Sequence, residues 1–480
     1  MTDYRPYTQY KPIRCPWLKG IPDHWNFKRI KNVATCNDEA LDERTDPGFE
    51  IEYVDISSVT LVNGIEKSES MLFEKAPSRA RRKVKNGNII VSTVRTYLKT
   101  IAPICEPPEN MIVSTGSAVI RPKENLHSDF AGYLLQSNGF VGEVVANSVG
   151  VSYPAINASD LVRIPALEPP LDEQQAIAHF LDFKTAQIDA LIAKKQTLLD
   201  KLAEKRTALI SRAVTKGLDP SVPMKDSGVA WLGEIPAYWV SSRLRFVSSN
   251  IEQGWSPQCN NQPANIEQWG VLKVGCVNGD NFDETENKAL PDDLEPKFRY
   301  EVKSGDILVS RANTKELLGN AALVKNVRPH LILCDKLYRI TPNELVQPDY
   351  LVRFLRSSIA RYQYERNATG TSGSMQNIGQ DTLKDLPIPL PPRPEQEKIS
   401  QYLQEIFLKN AVVERDINAV ISKLKEYRSA IITNAVTGKI DVRDFVVPAK
   451  AETQEAEKPA AILDSRVRGN DGLSMEPAHA

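Results

Sequence analysis

The feature that most constrains this chain is that its sequence repeats itself once, at a separation of 222 residues. The segment PPLDEQQAIAHFL at 169–181 returns as PPRPEQEKISQYL at 391–403. Without any gap, KLAEKRTALISRAVT at 201–215 then meets KLKEYRSAIITNAVT at 423–437. Two copies with so long a period predict a duplicated domain pair and not a solenoid, whose repeats run to about 20–50 residues.

Each repeated segment predicts one long helix with an apolar stripe. Alternating steps of four and three residues that start at Ile177 and at Ile399 reach mostly apolar residues. This spacing of 3.5 residues is the period of a coiled coil. Gly217 and Gly438 predict where the helices end. The predicted seam consists of Ile177, Leu181, Ile188, Leu191, Leu198, Leu202, Leu209, Ile399, Leu403, Ile406, Val413, Ile417, Val420, Leu424 and Ile431.

A single amphipathic helix is also explained by packing on its neighbouring domain, and this alternative stays open. Two helices with matched stripes and matched lengths favour pairing with each other. A helix from 172 to 216 is about 65 Å long at about 1.5 Å per residue, so we interpret both helices as spacers.

The segments outside the helices mix short apolar runs with turn residues and a few short helical patterns, which predicts α+β globular domains. We place the first domain at 1–168, the central spacer helix at 169–219, the second domain at 220–390 and the C-terminal spacer helix at 391–443. The last segment, 448–480, has few aromatic residues, and we interpret it as a disordered tail.

Composition excludes several classes of protein. The six cysteines lie apart without a C-x-x-C pair, which favours reduced thiols over a disulfide framework or a zinc site. The N-terminal sequence has no signal-peptide core, and no apolar run approaches the length of a membrane span. We therefore expect a cytoplasmic protein that does not enter a membrane.

The sequence carries no recognisable catalytic motif. It has no Walker A pattern, no G-x-G-x-x-G, no G-x-S-x-G and no H-E-x-x-H. An N-P-P or D-P-P tetrad of the kind that amino-methyltransferases use around a flipped adenine is missing as well. We assign no catalytic residue and no metal ligand, and we expect a non-catalytic chain, although an enzyme is not excluded on these grounds.

Local charge is more informative than the net charge of −1. The stretch 75–105 holds eight basic residues and no acidic one, with Tyr97 and several hydroxyl residues between them. Such a stretch neutralises phosphates and predicts salt-dependent binding to a nucleic acid. A solvated helix face or loop is the alternative interpretation.

Taken together, the two P-P-x-x-E-Q helix starts, the two helix ends quoted above, and the paired motifs WLKGIPDHW (17–25) and WLGEIPAYW (231–239) resemble the specificity subunit of type I restriction-modification systems. The resemblance runs over nearly the whole chain except the tail. It implies two target-recognition domains that each read one half of a split DNA site. It further implies that the two helices form an antiparallel coiled coil, with a pseudo-two-fold internal repeat, and set the gap between the half-sites.

The resemblance also implies partners: double-stranded DNA, two modification (methyltransferase) subunits and two restriction subunits. We expect this chain to bind no cofactor. S-adenosylmethionine for adenine methylation, and ATP and Mg for restriction, are expected in the partner subunits.

DNA-contacting residues cannot be transferred from the family, because recognition domains diverge with the sequence they read. From charge and residue type we predict contacts by Arg79, Arg81, Arg82, Lys83, Arg95, Tyr97 and Lys99 in the first domain, and by Arg311, Asn313, Lys315, Thr371 and Ser372 in the second. Two alternatives remain: a coiled-coil protein adaptor that does not bind DNA, and a self-contained methyltransferase or nuclease.

Overall fold

The computed structural model describes residues 4–60, 64–259, 261–370 and 375–446. The tail predicted at 448–480 lies outside the described residues. The chain forms two compact units, of which unit 1 combines Met1–Ile192 with Ile421–Ala480 and unit 2 is Ala193–Val420. Each long helix is divided between the two units. The predicted domain boundaries treat the helices as separate segments instead, and those boundaries stay a prediction.

The described residues contain short helices around the domains and two long ones. In chain order the helices are α1 (Ile30–Val33), α2 (Ser128–Gln136), α3 (Asn138–Ala146), α4 (Ala158–Leu161), α5 (Leu171–Lys216), α6 (Pro348–Leu355), α7 (Ser358–Asn367), α8 (Gln380–Lys384) and α9 (Arg393–Val436). Each long helix follows a pair of prolines and is followed by a glycine in the left-handed region, Gly217 at φ +74° and Gly438 at φ +68°. A left-handed residue that closes the last turn is the usual helix stop.

The strands are short. Those of unit 1 are β1 (Tyr10–Cys15), β2 (Leu18–Pro22), β3 (Asn26–Arg29), β4 (Ala34–Cys36), β5 (Glu50–Val54), β6 (Val59–Thr60), β7 (Gly64–Ile65), β8 (Glu69–Leu72), β9 (Ala80–Lys83), β10 (Ile89–Ser92), β11 (Ile101–Pro103), β12 (Met111–Ser114), β13 (Ser117–Pro122) and β14 (Pro165–Glu168). Those of unit 2 are β15 (Met224–Asp226), β16 (Glu234–Pro236), β17 (Val240–Arg243), β18 (Ser248–Gln253), β19 (Gly270–Leu272), β20 (Asn287–Ala289), β21 (Ile307–Ser310), β22 (Ala312–Asn313), β23 (Ala321–Leu323), β24 (Leu331–Ile332), β25 (Leu337–Pro342), β26 (Gln376–Asn377) and β27 (Pro387–Leu390).

The two units share one sheet plan. Unit 1 has an antiparallel sheet in the order β11-β10-β13-β4 and a mixed sheet in the order β8-β5-β12-β9. Unit 2 has an antiparallel sheet in the order β18-β25-β21-β23 and a smaller mixed sheet in the order β20-β19-β24. In both mixed sheets one pair is parallel, β5 with β12 and β19 with β24. The duplication read from the sequence is therefore a duplication of fold.

The long helices run antiparallel, because opposite ends of them meet in each unit. In unit 1 the guanidinium Nε of Arg428, near the end of α9, donates to Oδ1 of Asp189 in the first half of α5 at 2.9 Å. In unit 2 the guanidinium of Arg206, in the second half of α5, lies 4.2 Å from the ring centre of Phe407 near the start of α9. The predicted architecture of two α+β domains and an antiparallel helix pair is confirmed.

The predicted seam requires a correction in the middle of both helices. Four predicted members are 40% to 44% exposed: Leu191, Leu198, Val413 and Val420. The more buried stripe is the other alternation of threes and fours, and it is the same in both copies: Ala178, Leu181, Thr185, Ile188, Ile192, Lys195, Leu199, Leu202, Arg206, Leu209 and Ala213 on α5, and their counterparts 222 residues later on α9.

The two ends of the described chain meet inside unit 1. After α9, the backbone N–H of Asp441 donates to the carbonyl of Arg5 at 2.8 Å. The hydroxyl of Tyr10 donates to the carbonyl of Gly438 at 2.7 Å. The ring of Phe445 packs edge-on against Phe180 of α5 at 4.9 Å between centres. The residues that follow α9 therefore form part of the core of unit 1.

Candidate nucleic-acid interface

The repeated P-P-x-x-E-Q motif attaches each domain to the start of its helix. In unit 1 the buried carboxylate of Glu173 accepts hydrogen bonds from the indole of Trp25 at 3.0 Å and from the hydroxyl of Tyr7. In unit 2 the carboxylate of Glu395 accepts one from the indole of Trp239 at 3.0 Å. Each tryptophan closes one copy of the W-L-x-x-I-P-x-x-W motif, so two sequence features that lie far apart form one contact.

The glutamine of the same motif makes identical bonds in both copies. Gln174 donates to the carbonyl of Pro169 at 2.8 Å and accepts from the backbone N–H of His127 at 2.8 Å. Gln396 donates to the carbonyl of Pro391 at 2.9 Å and accepts from the N–H of Gln347 at 2.7 Å. The sequence showed a helix start here, and the structure adds that this start is hydrogen-bonded to the helix that follows the main sheet.

Several of the predicted DNA-contacting residues of unit 1 have partners within the protein. Arg79 forms an ion pair with Asp55 at 2.7 Å and donates to the hydroxyl of Tyr53 at 3.2 Å. The hydrogen bond that Arg79 donates to Tyr53 and the charge of Asp55 raise the pKa of Arg79. The guanidinium of Arg81 lies 4.7 Å from the ring centre of Phe73. These contacts hold the cations in defined positions.

Arg82 and Lys83 complete the predicted group on strand β9. Arg82 is half-buried, and its Nε has no hydrogen-bond partner among the described residues. Lys83 is exposed and pairs through its backbone with Ile112. Of these two cations of strand β9, Lys83 faces solvent and Arg82 is partly enclosed.

Arg95, Tyr97 and Lys99 lie together on one tight turn. Arg95 and Lys99 flank a single turn of 3₁₀ helix at residues 96–98 and are both left-handed, with φ of 50° and 55°. Non-glycine residues seldom adopt this conformation, so the turn is held by its surroundings. No ion pair to Arg95 or Lys99 occurs within the part of the chain that the structure describes, and Tyr97 is 51% exposed.

The turn and strand β9 meet at the loop between β12 and β13. The backbone N–H of Thr115 donates to the carbonyl of Arg79 at 2.8 Å, and that of Thr93 donates to the carbonyl of Gly116 at 2.9 Å. Arg79 and Arg95 therefore flank one loop. Whether these residues contact DNA stays a prediction.

The predicted residues of unit 2 are placed differently. Asn313 is 8% exposed, and its amide donates to Asn278 at 3.1 Å, which argues against direct base contact. Lys315 is exposed and lies 3.6 Å from Glu365. Arg311 is half-buried and donates to the carbonyl of Asp335 at 3.4 Å. Thr371 and Ser372 lie outside the described residues.

Unit 2 also contains a group of arginines that are not among the predicted DNA-contacting residues. Arg206 contacts Asp280 at 2.5 Å, and Arg356 contacts the same carboxylate at 3.4 Å. Arg206 and Arg353 both lie over the ring of Phe407, at 4.2 and 4.7 Å. Burial lowers the pKa of Arg356 to about 10. Burial acts to raise the pKa of Asp280, but the bond and charge of Arg206 lower it overall. This group connects the second half of α5 to the second domain.

No group of three or more His, Cys, Asp or Glu side chains in the described part of the chain is placed to hold a metal ion. No helix within it combines the length and apolarity needed to cross a membrane.

Comparison with known proteins identifies the family. The model of the type I restriction modification DNA specificity domain matches residues 22–201 and 266–423. The EcoEI specificity subunit of Escherichia coli is 32% identical over 212 residues, which are 44% of this chain and 35% of that relative, about a third of its length. The EcoKI specificity subunit of Escherichia coli strain K12 is 26% identical over 328 residues, 67% of this chain and 68% of that one.

A solved structure supports the fold. A chain from work on complex assembly and conformational transition of the type I R-M system aligns with a TM-score of 0.59 at 24% identity, covering 88% of this chain and 99% of that one. The family model alone matches well over half of the present sequence. The chain therefore belongs to the family of type I restriction-modification DNA specificity subunits.

Proposed function

We propose that this chain is the sequence-reading subunit of a type I restriction-modification complex and that each unit supplies one reader. The observation that carries the proposal is that both units repeat the same pair of sheets and the same glutamate–tryptophan contact at the helix start. Two similar readers on one chain suit a split DNA site, and the helices α5 and α9 then determine the gap between its halves.

Charge supports DNA as the ligand of unit 1. The exposed cations Arg95 and Lys99 flank Tyr97 on a stretch that has no acidic residue from 75 to 105. Phosphate contacts of this kind position a reader, while other side chains contact the bases. The alternative of a coiled-coil adaptor that binds only proteins gives no reason for this arrangement, and family membership does not favour it.

We assign methylation and restriction to partner subunits: adenine methylation to two modification subunits that use S-adenosylmethionine, and cleavage to two restriction subunits that use ATP and Mg. The internal repeat supports two identical modification subunits. Three positions on α5 are exposed and identical to their counterparts on α9: Lys201, Glu204 and Ala208, with Lys423, Glu426 and Ala430.

Packing in the core does not explain why these exposed residues are identical in the two helices. The four charged side chains of this set make no ion pair within the described ranges, so they contribute little to folding. Two copies of one partner, however, need the same surface twice. We infer that these two stripes, each read as K-x-x-E-x-x-x-A, contact the modification subunits.

One experiment tests the reading function. The chain is co-expressed with its modification subunit in a host without adenine methylation, and modified adenines are mapped across the genome by single-molecule sequencing. A split motif with a fixed unspecified gap is the expected result. An assembled complex that contains active modification subunits and methylates no site, or a motif without a gap, would contradict the proposal.

Charge reversal tests the docking stripes. Glu204→Lys and Glu426→Lys are each expected to release one modification subunit, and the double variant both, as counted by native mass spectrometry. Asp200→Lys, another exposed acid on α5 that is not repeated on α9, is the matched control. Full assembly of the double variant would exclude these stripes.

A further inference from the structure

An exposed apolar tip stands beside the cationic turn of unit 1. It lies on the loop 148–155, where Val149 is 81% exposed, Val151 101% and Tyr153 66%. Leu98 of the neighbouring turn is 53% exposed. Apolar side chains gathered at one exposed position mark a contact site, because scattered single residues are the normal condition of a surface.

The tip is held firmly by its own backbone. Val149 and Ala155 exchange both backbone hydrogen bonds, at 2.8 and 3.0 Å. Gly150 between them has φ +114°, and a Cβ there would lie 3.1 Å from the carbonyl oxygen of Tyr153. A larger residue at that position is strained by the positive φ and by this close approach. Val151 is therefore presented on a closed loop.

Side chains join this loop to the cationic turn. The guanidinium of Arg95 lies 5.0 Å from the ring centre of Tyr153, a cation–π distance. The hydroxyl of Thr96 donates to that of Ser148 at 2.7 Å. The turn and the loop form one surface in which the apolar tip lies next to Arg95.

The charge of this surface identifies its occupant. The segments 93–105 and 146–159 contain no acidic residue, and Arg95 lies beside the apolar tip through its contact with Tyr153. Duplex DNA offers the matching chemistry: phosphates for the cations, and in the major groove the thymine methyl group, which is the apolar feature of a base edge. An anionic membrane would also attract such a surface, and the experiment below separates the two.

We propose that Val151 reads base pairs of one half-site by apolar contact with a thymine methyl group, while the Arg95–Tyr153 stack positions the loop. The proposal rests on the proposed DNA-reading function and adds a specificity-determining residue to it. Lys99 and Arg95 then contact the phosphates on either side of that base pair.

The test uses the full chain assembled with its modification subunits and a duplex that carries the mapped site. Each thymine is replaced in turn by uracil, which lacks only the methyl group. A site of adenine methylation contains at least one A·T pair, so a thymine is available. We expect one replacement to weaken binding about three- to fivefold, as loss of one buried methyl group does.

The variant Val151→Ala is expected to weaken binding of the thymine duplex by a similar factor and to bind thymine and uracil duplexes equally. Because the side chain is fully exposed, the fold is retained. The matched control is Val446→Ala, an exposed valine of the same unit at the end of the described chain, which keeps the discrimination.

Three results would overturn the proposal: no thymine dependence in the parent complex, unchanged dependence in Val151→Ala, or binding to vesicles of anionic lipid that Val151→Ala alone abolishes. Failure of the reading function itself gives a different result, because the assembled complex would then bind the mapped duplex no better than an unrelated one.

Discussion

Removing the motif glutamate is expected to destabilise the two units unequally. The carboxylate of Glu173 is 3% exposed and accepts from Tyr7, from Trp25 and from the imidazole of His24 at 2.7 Å. In Glu173→Ala the donors of Tyr7 and Trp25 stay buried without an acceptor, while His24, at 42% exposure, turns to water. At about 1–3 kcal/mol for each orphaned donor, unit 1 loses about 4 kcal/mol.

The corresponding change in unit 2, Glu395→Ala, is expected to cost less stability. Glu395 accepts from Trp239 and from the hydroxyl of Tyr238 at 3.0 Å. Tyr238 is 51% exposed, so its hydroxyl finds water when the carboxylate is removed. Only the indole of Trp239 is orphaned in Glu395→Ala, which gives a loss of about 2 kcal/mol in unit 2.

The measurement must resolve the units, because a chain of two units need not unfold in one step. Hydrogen–deuterium exchange in increasing denaturant, followed by mass spectrometry of peptides from each unit, gives a free energy of opening for each. Glu397→Ala, an exposed glutamate near the start of α9, is the control and is expected to change stability by less than about 0.5 kcal/mol. Equal losses in the two units, or losses below 1 kcal/mol in both, would refute the reasoning.

Three further predictions concern other parts of the chain. Gly139→Ala on α3 places a Cβ 2.1 Å from the indole of Trp17 and is expected to lower the free energy of unfolding by roughly 1–3 kcal/mol, as measured by chemical denaturation. Gly142→Ala on the same helix meets nothing within 4 Å and is expected to raise the free energy of unfolding by up to about 1 kcal/mol. The opposite order of stabilities would refute this packing. Burial raises the pKa of Cys334 to about 12 and that of Cys276 well above its ordinary value. Iodoacetamide at pH 8 is therefore expected to label both thiols only after unfolding. Labelling of either thiol in the native protein, detected by mass spectrometry, would contradict the fold of unit 2. Seven residues inserted into each long helix are expected to lengthen the gap of the mapped DNA motif without changing either half, and an unchanged gap would exclude the spacer role.

The repeat made the architecture predictable, but it left the phase of the helix stripe undetermined. Leu198 and Leu199 are neighbours, as are Val420 and Ile421, so an apolar period of 3.5 residues fits either alternation. Which residue turns inward depends on the partner helix and the domain beneath it. A polar stripe position such as Arg206 is also invisible to a search for apolar residues.

The candidate site was predicted only in part for a related reason. Charge and residue type located the turn with Arg95 and Lys99, because exposed cations without acidic neighbours can be read from the sequence. The internal partner of Arg79 and the burial of Asn313 depend on contacts with Asp55 and Asn278, which lie 24 and 35 residues away along the chain. A contact by Val151 itself was not predicted, since a valine in a loop has no distinctive pattern.

The meeting of both ends of the described chain in unit 1 has a consequence for synthesis. Unit 2 is continuous in sequence, whereas the core of unit 1 needs Ile431 and Val436 of α9. At about 5–20 residues per second, residues 193–420 take on the order of 10 to 45 s to emerge after the first domain has been made. During that time the first domain lacks the helix that covers it. The second domain can therefore finish folding before the first, and a ribosome that stops early releases a chain whose N-terminal reader was never completed.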